Sequence, residues 1–417
     1  MKFITYNLGC KVNAYELRAI TSLMLKEGYI LGDINHFDIA IINTCTVTQV
    51  ASQKSRQHIH KFRLLNKDAV IIAMGCDVNN EAKNILNDCG ADIVLGVNNR
   101  HLIIGCLKEF LKTKEKINKS EDMPSLRKKC QYEELGLTLV NENARAYVKI
   151  EDGCDNFCSY CLIPLMRGKA RSRAKEAIFK EIEALIHANY KEIILTGIDT
   201  ASYGKEFPNY HFSDLLKDIL EKFPNLYRLR ISSIEISQID DNFLLLLKKH
   251  KNIANHLHIP LQSGSDSVLK RMNRKYTCKQ YFEAIKKIRK ARLDIAITSD
   301  VIVGFPNESE DEFNETYEFI KRIKFMELHV FPFSKRKGTG AYLMKDVDNS
   351  VKKKRVHKLI ALSKQLKKEY QSQFINQELE VLFENNSEGL TSNYIRVKEK
   401  GKPNEIKKIR LNSLNIV

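Results

Sequence analysis

The chain has 417 residues, so we expect two or three domains, each long enough to bury a core of its own. Its hydrophobic fraction of 43% and its charged fraction of 29% are those of a globular protein and exclude a disordered chain. Lys and Arg exceed Asp and Glu by 17 residues, which favours a polyanionic partner such as nucleic acid; a generally basic surface is the alternative.

The ten cysteines are too sparse for a disulfide scaffold. Residues 1–16 have no apolar signal region, and no stretch approaches the roughly 18 apolar residues of a membrane-spanning helix. We therefore expect a cytoplasmic protein without a membrane partner, in which the thiols serve metal chemistry.

Residues 1–112 alternate short apolar runs with helical patterns, which predicts a parallel α/β domain. Cys10, Cys45 and Cys76 each lie just past the carboxyl end of a predicted strand. Because those ends line the ligand crevice of an open parallel sheet, we expect a site with three thiolates; the alternative is three small buried hydrophobic residues. The predicted strands cover residues 3–8, 39–42, 70–74 and 92–95, with a helix over residues 13–27.

Residues 113–143 are charged and only weakly periodic, and we interpret them as a linker. From residue 144 to residue 372 the alternation of strands and helices resumes on a larger scale. This rhythm predicts a partial (β/α)6 barrel with its working loops at the carboxyl ends of the strands. Its predicted strands cover residues 146–150, 192–195, 227–232, 257–261, 295–303 and 328–333.

Cys154, Cys158 and Cys161 lie in the loop after the first predicted strand of this barrel. Thiolates so close in sequence converge on one soft metal centre, either zinc or an iron-sulfur cluster. A structural zinc site needs a fourth ligand at short range, but the next cysteine is Cys278. Three thiolates therefore favour a four-iron cluster with one iron open to a substrate or cofactor, over zinc or unligated thiols.

Later strand ends of the barrel carry polar or glycine-containing segments, at residues 196–199, 232–235, 260–264 and 299–306. Ordinary turn chemistry explains any one of them, whereas their shared position favours a ligand site for the set.

Residues 335–417 contain 19 Lys or Arg and nine Asp or Glu, which makes this the most basic part of the chain. A basic helix over residues 350–376 is followed by short strands over residues 379–383, 393–397 and 405–411, which predict a small antiparallel β-barrel. Basic residues around Tyr394, such as Arg396, suit contact with RNA; a solvated lysine-rich face is the alternative.

The loop with three cysteines resembles the radical S-adenosylmethionine (SAM) signature, and further motifs resemble the methylthiotransferase family over essentially the whole chain. The resemblance implies an amino-terminal domain (1–112) that holds an auxiliary 4Fe-4S cluster on Cys10, Cys45 and Cys76. It also implies a radical SAM barrel (144–372) with a second 4Fe-4S cluster and a carboxyl-terminal TRAM-like RNA-binding barrel (373–417). The matching motifs are residues 7–13 with Tyr15 and Glu16, 43–48, 54–56, 167–173 and 261–265.

The resemblance also implies a reaction. One SAM gives a methyl group to a sulfur on the auxiliary cluster, and a second SAM is cleaved to a radical that takes a hydrogen from a substrate carbon. The methylthio group is then attached to that carbon. The partners implied are tRNA, a flavodoxin-like or ferredoxin-like electron donor and a sulfur donor.

Residues 9–13 and 54–56 are most similar to the branch that acts on C2 of N6-threonylcarbamoyladenosine, 3′ of the anticodon of tRNA. Isopentenylated adenosine in tRNA and an aspartate of a ribosomal protein are alternative substrates within the family. A protein of another class, an iron-sulfur or zinc-stabilised RNA-binding protein without methylthio transfer, is a further alternative.

By the same resemblance, five residues at strand ends are expected to hold SAM, and three arginines are expected to meet a substrate carboxylate or RNA phosphate. The five are Gly197, Ser233, Glu235, Gln262 and Asp300, and the arginines are Arg167, Arg171 and Arg173. Ile236 and Asn307 depart from the Pro and Gly that the family often has at these positions.

Overall fold

A computed structural model describes residues 1–128, 131–138 and 144–417. They form an amino-terminal parallel α/β domain, an open barrel of parallel strands and a small antiparallel sheet at the carboxyl end. Residues 129–130 and 139–143 of the predicted linker lie outside the described residues. Among the described helices, none combines the length and the apolar run that crossing a bilayer requires.

A six-stranded parallel sheet forms the amino-terminal domain, in the order β2-β1-β3-β4-β5-β6. Strands β3 and β4 are buried at every position, as expected for a sheet with helices on both faces. Strand β6 lies within the segment predicted as a linker and extends this sheet beyond residue 112. The elements are β1 (Lys2–Asn7), α1 (Lys11–Lys26), β2 (Ile30–Leu31), β3 (Ile39–Thr44), α2 (Gln49–Leu65), β4 (Val70–Gly75), α3 (Cys76–Asn87), β5 (Ile93–Leu95), α4 (Ile103–Thr113), β6 (Ile117–Lys119) and α5 (Met123–Lys128).

Six parallel strands form the barrel, as two hydrogen-bonded sets of three, β11-β10-β7 and β12-β13-β14. A backbone hydrogen bond of 3.0 Å from Ile234 to His258 joins the two sets. The elements are β7 (Arg145–Lys149), β8 (Glu151–Asp152), α6 (Ile163–Arg167), β9 (Arg171–Ser172), α7 (Lys175–His187), β10 (Glu192–Thr196), α8 (Phe212–Lys222), β11 (Arg228–Ile231), α9 (Asp241–Lys249), β12 (His256–His258), α10 (Asp266–Arg271), α11 (Cys278–Ala291), β13 (Ala296–Val303), α12 (Glu310–Ile323), β14 (Glu327–Pro332) and α13 (Asn349–Ser372).

Side chains alternate along the barrel strands between an apolar outer face and a polar concave face. Ile297, Val301 and Val303 of β13 pack with the surrounding helices, whereas Thr298 and Asp300 point the other way because successive side chains alternate. The concave face of the barrel is therefore rich in hydrogen-bonding and charged groups.

The carboxyl-terminal module is an antiparallel sheet of four strands in the order β17-β16-β15-β18. The sequence predicted three of these strands and missed β16. Six buried side chains, Phe374, Val381, Phe383, Ile395, Val397 and Leu411, give the module a small core of its own. The strands are β15 (Glu378–Phe383), β16 (Glu388–Thr391), β17 (Arg396–Lys398) and β18 (Ile406–Arg410).

Candidate active site

Cys10, Cys45 and Cys76 lie side by side because they follow β1, β3 and β4, which are neighbours in the sheet. Asn13 connects two of these strand ends: its Nδ2 atom donates to the Thr44 carbonyl at 3.0 Å, and its Oδ1 atom lies 3.3 Å from Cys10 Sγ. The charges of Cys45 and Cys10 both act on Cys76, so the three thiols are electrostatic neighbours. The structure thus brings together three residues that are distant in sequence.

Cys76 is buried at the boundary between the amino-terminal domain and the barrel. Burial raises the pKa of its thiol to about 12, and the Arg167 guanidinium opposes this rise. The Nε atom of Arg167 lies 3.1 Å from Cys76 Sγ. A thiol buried in this way binds as a thiolate when a cation compensates for its lost hydration, as coordinated iron does.

Cys154, Cys158 and Cys161 lie on one loop between β8 and α6. Arg274 donates from a guanidinium nitrogen to Cys158 Sγ at 3.2 Å, so this triplet also has an arginine beside one sulfur. Burial raises the pKa of Cys161 to about 12, with a further contribution from Cys158. The three cysteines are half-buried, so the loop remains partly open on its solvent side.

In the described part of the chain, neither cysteine triplet is tight enough for its three sulfur atoms to share a single ion. Within the described residues, the one group of three ligand residues whose atoms lie within 4.8 Å of one another is His258, Asp300 and His329, and it contains no cysteine. A 4Fe-4S cluster takes one thiolate per iron, which spaces its ligands more widely than one ion does. Each all-cysteine triplet can therefore hold a four-iron cluster and leave the fourth iron open.

A cavity of about 210 Å³ is bordered by residues next to both triplets. Thr46, which follows Cys45, lines one side, and Cys161 lines another. Gln262 and Asp300, two of the residues expected to hold SAM, also line this cavity. Gln262 has a φ of 65°, in the left-handed region, and its backbone N–H donates to the Asp300 carbonyl at 2.8 Å.

The other residues expected to hold SAM lie at the ends of β10 and β11, beside the cysteine loop. Asn156 of that loop donates to Glu235 at 3.0 Å and to Asp199 at 3.1 Å, and Glu235 is paired with Arg274. Gly197 packs so closely on Glu151 that a Cβ atom would lie 2.3 Å from its carboxylate. Ser233 accepts a hydrogen bond at its carbonyl from the Thr200 hydroxyl.

Arg167, Arg171 and Arg173 are at most 1% exposed, so the prediction that they meet substrate or RNA is wrong. Each guanidinium is already bound to acidic or polar groups of the protein, and the one nitrogen without a partner among the described residues, Arg171 Nε, is buried. The partners are Glu16 (2.7 Å) and Asp152 (2.9 Å) for Arg167, Asn98 (2.7 Å) and Asp152 (3.3 Å) for Arg171, and Glu134 (2.6 Å) and Glu181 for Arg173.

Glu16, on α1, is the centre of this buried network between the amino-terminal domain and the barrel. It contacts Lys149 at 2.8 Å and also pairs with Arg100 and Arg167. Burial raises the pKa of Glu16, but these three cations outweigh burial and hold it well below its usual range. The arginine that lies against Cys76 is thus fixed by a carboxylate from the other domain.

A second buried glutamate, Glu192 on β10, lies at the opposite end of the barrel. Arg230 contacts it at 2.7 Å and Arg228 at 3.1 Å. Burial raises its pKa, but the arginines, Arg230 foremost, lower it to about 2. The same two arginines donate to the carbonyls of Leu390 and Ser392, each at 3.2 Å, and so connect the carboxyl-terminal sheet to the barrel.

Tyr394 and Arg396, which the sequence assigned to RNA contact, make contacts within the protein. The Tyr394 ring stacks on His256 with 4.1 Å between ring centroids, and the Arg230 guanidinium lies 5.2 Å from the Tyr394 centroid. Arg396 pairs with Glu384 at 2.8 Å. The structure therefore contradicts an RNA-stacking role for Tyr394, whose ring is already packed against the barrel.

Several residues at the site were missed by sequence reasoning, namely Lys11, Asn156, His258, Arg274 and His329. The histidines lie on β12 and β14, where polar residues alternate with buried apolar ones. That alternation, applied to the predicted barrel strands, was the signal that could have placed them on the concave face.

Two sequence families match parts of the chain. The Radical SAM superfamily matches residues 148–320, which include the loop with three cysteines. A family described as Uncharacterized protein family UPF0004 matches residues 2–96, which include Cys10, Cys45 and Cys76.

Three known proteins illustrate what the whole chain is similar to. Threonylcarbamoyladenosine tRNA methylthiotransferase MtaB of Bacillus subtilis (strain 168) is 46% identical over 415 residues, which are 97% of this chain and 91% of that protein. The tRNA-2-methylthio-N(6)-dimethylallyladenosine synthase of Geobacillus thermodenitrificans is 33% identical over 93% of this chain and 74% of its own length. The radical SAM methyltransferase TsrM of Kitasatospora setae, solved with cobalamin and a 4Fe-4S cluster, shares the fold with a TM-score of 0.63 at 12% identity, over 82% of this chain and 77% of its own.

Proposed function

Because the chain belongs to the family of radical SAM tRNA methylthiotransferases, we propose that it attaches a methylthio group to C2 of N6-threonylcarbamoyladenosine, 3′ of the anticodon of tRNA. The observation that carries the proposal is the cavity bordered by Cys161 of one triplet and by Thr46, the neighbour of Cys45 in the other, since a transferred sulfur and a substrate radical must meet at one carbon. The 46% identity to a threonylcarbamoyladenosine enzyme supports this nucleoside over the isopentenylated one.

The residues of the chain divide the work between two sites. Cys154, Cys158 and Cys161 hold one 4Fe-4S cluster, and the amino-terminal triplet holds the other. When bound, these clusters and SAM supply the radical and the sulfur. Arg274 and Arg167 donate to one thiolate of each triplet and so stabilise its negative charge.

SAM lies, in this proposal, between the cysteine loop and the neighbouring strand ends, where Gly197, Ser233, Glu235 and Gln262 surround it. Asp300 borders the same cavity, although its two carboxylate oxygens are already engaged by histidines. Burial, opposed by Arg274, raises the pKa of Glu235, so this carboxylate gains from a cationic partner such as the SAM amino group.

The RNA lies along a groove of about 660 Å³ that continues from the cavity, with which it shares Phe331. Val50 and Phe331 offer apolar contact to bases, and Lys335 and Lys353 offer charge to phosphates. The Tyr394 ring packs against the barrel, so residues 373–417 bind RNA, in this proposal, through other surfaces of the module.

We place the amino-terminal domain at residues 1–112 with an extension to β6, the radical domain at 144–372 and the RNA-binding module at 373–417. The reaction also needs a flavodoxin-like or ferredoxin-like electron donor and a sulfur donor, and the cytoplasm is where tRNA meets all of these partners.

Anaerobic reconstitution with iron and sulfide tests the proposal. We expect the wild-type chain to convert anticodon stem-loop RNA carrying N6-threonylcarbamoyladenosine to its 2-methylthio form, measured by nucleoside mass spectrometry. Conversion of only the isopentenylated RNA, or zinc in place of iron, contradicts the proposal.

Triple alanine variants separate the two sites. Replacing Cys154, Cys158 and Cys161 should abolish formation of 5′-deoxyadenosine, whereas replacing Cys10, Cys45 and Cys76 should leave this cleavage and stop methylthio transfer. The control is Cys106→Ala, in the buried core of the first domain, which should keep both activities. Cleavage that survives loss of the barrel cysteines contradicts their assignment.

A further inference from the structure

Three side chains on the concave face of the barrel form one cluster, His258, Asp300 and His329. Asp300 accepts from His329 Nδ1 at 3.1 Å and lies 3.3 Å from His258 Nε2. The other nitrogen of His258 is 3.0 Å from the Thr298 hydroxyl. The Nε2 atom of His329 has no hydrogen-bond partner among the described residues, and about half of this side chain is exposed.

Lys11 brings a positive charge to this cluster from the amino-terminal domain. It follows Cys10 directly, at the first turn of α1, and is partly buried. Its charge acts on His329, and its own electrostatic neighbours are Arg230, Arg145, Asp300 and Cys10. Within the described chain, Lys11 makes neither a salt bridge nor a hydrogen bond through its ammonium group. A partly desolvated ammonium in this position lacks the anion that would compensate it.

The cluster is better suited to an anion than to a metal ion. His258 already uses both ring nitrogens, so it has no free lone pair to offer a metal. The charge of Lys11 acts on both His329 and Asp300, which opposes a divalent cation and attracts a carboxylate. Arg145 and Arg230 are neutralised in part by Glu192, whereas Lys11 is not.

We propose that the Lys11 ammonium and the Nε2–H of a doubly protonated His329 bind the carboxylate of the threonylcarbamoyl group, with Asp300 and His258 holding His329 in place. This inference rests on the proposed function and names the part of the site that selects the nucleoside. The threonylcarbamoyl group carries a free carboxylate, whereas the isopentenyl group is an uncharged hydrocarbon. Because Lys11 follows Cys10 directly, the subsite lies on the side of the amino-terminal triplet.

A partly desolvated cationic subsite favours a charged substituent and disfavours an apolar one. It gains a charge-assisted hydrogen bond with an acidic substituent. With an apolar substituent, the ammonium stays unpaired and desolvated, which costs affinity for that substrate. This explains selection among tRNA substrates without any contact to the anticodon bases.

Binding of two matched RNAs tests the subsite. One anticodon stem-loop carries N6-threonylcarbamoyladenosine, and the other carries the methyl ester of the same group, which removes only the charge. We expect the reconstituted wild-type protein to bind the acid roughly tenfold or more tightly than the ester. Lys11→Met should remove most of this preference and leave affinity for the ester within about twofold, while Lys11→Arg should retain the preference.

Two further variants keep the test decisive. His329→Gln lies in the barrel, away from the thiolates, and should reduce the preference for the acid severalfold even if Lys11→Met loses iron. Lys26→Met, an exposed lysine at the other end of α1, is the matched control and should bind both RNAs as the wild type does.

Equal binding of acid and ester by the wild type, or an unchanged preference in both Lys11→Met and His329→Gln, overturns the subsite. In that case methylthio transfer to the acid RNA would still stand and uphold the proposed function. Failure of the wild type to modify the acid RNA at all contradicts the proposed function instead, and the two failures are therefore distinct.

Discussion

The two ends of the barrel are joined to neighbouring domains by the same device, a buried glutamate surrounded by cations. At one end Glu16 of the amino-terminal domain is paired with Arg167 and Lys149 of the barrel. At the other end Glu192 of the barrel is paired with Arg228 and Arg230, which reach the backbone of the carboxyl-terminal sheet.

The two ends differ in the contacts that the arginines make in addition to their ion pairs with glutamate. Arg167 also donates to Cys76, a proposed cluster ligand, so the interface and the metal site share one guanidinium. Arg230 contacts carbonyl groups and the Tyr394 ring, which are purely structural partners. At the amino-terminal end of the barrel, the residue that attaches the domain also contacts a proposed cluster ligand. At the carboxyl-terminal end, the attaching arginines contact only structural groups of the described chain.

The largest expected effect is that of Arg167→Met. It leaves Glu16 and Asp152 buried with fewer cations, which should lower the free energy of unfolding by about 3–5 kcal/mol. It also removes the donor to Cys76, so we expect about four irons per chain rather than about eight after reconstitution. Denaturant unfolding and iron analysis measure the two effects.

Arg230→Met is the matched change at the other end. It should lower the free energy of unfolding by about 2–3 kcal/mol, since Arg228 remains beside Glu192, and should leave both clusters in place. Equal iron loss in the two variants contradicts the distinction between the two ends.

Acid should weaken the carboxyl-terminal attachment through Glu192. Its pKa is lowered to about 2 in the folded protein, from an ordinary value of 4.5, so its pairing stabilises the fold above pH 4.5 and is lost as the pH falls towards 2. The contribution is about 3 kcal/mol at neutral pH. Glu192→Gln should be destabilised by this amount at pH 7, and the difference from wild type should shrink steadily below pH 4.5. A difference that does not vary between pH 7 and pH 3 is the contrary result.

The smallest effect is expected for Tyr394→Leu. Loss of stacking on His256 should cost about 1 kcal/mol of unfolding free energy, and tRNA affinity should change less than about twofold. Lys353→Gln, in the groove beside the cavity, should weaken tRNA binding more and flatten its salt dependence. A tenfold loss of affinity in Tyr394→Leu would mean that the ring leaves the barrel and stacks on RNA.

The sequence predicts which amino-terminal cysteines lie together, but it does not predict that the three arginines are buried. Both outcomes have physical reasons. Cys10, Cys45 and Cys76 follow strands, and topology alone puts the ends of neighbouring parallel strands together. The sequence around Arg167 is the same whether the side chain faces solvent or pairs with a buried carboxylate, so local sequence does not distinguish the two cases. Its partner Glu16 is 151 residues away in the chain, so only the packing of two domains decides its burial.

Strand β16 and the Tyr394 ring illustrate the same limit at smaller scale. The β16 sequence, Glu388–Thr391, has a single large apolar residue and a glycine, so neither periodicity nor propensity predicts a strand. Tyr394 among basic residues fits an RNA-binding surface and fits equally well a ring that stacks on a histidine of another domain. Tertiary pairing determines both outcomes.

The contact between Arg167 and Cys76 has a consequence for how the protein is made. Arg167 lies well beyond Lys119, the last residue of the amino-terminal sheet, so a ribosome completes that sheet before it adds the arginine. All three amino-terminal thiols are therefore synthesised before the guanidinium of their final surroundings. The contact between Arg167 and Cys76 therefore forms only after the chain of the barrel has been made.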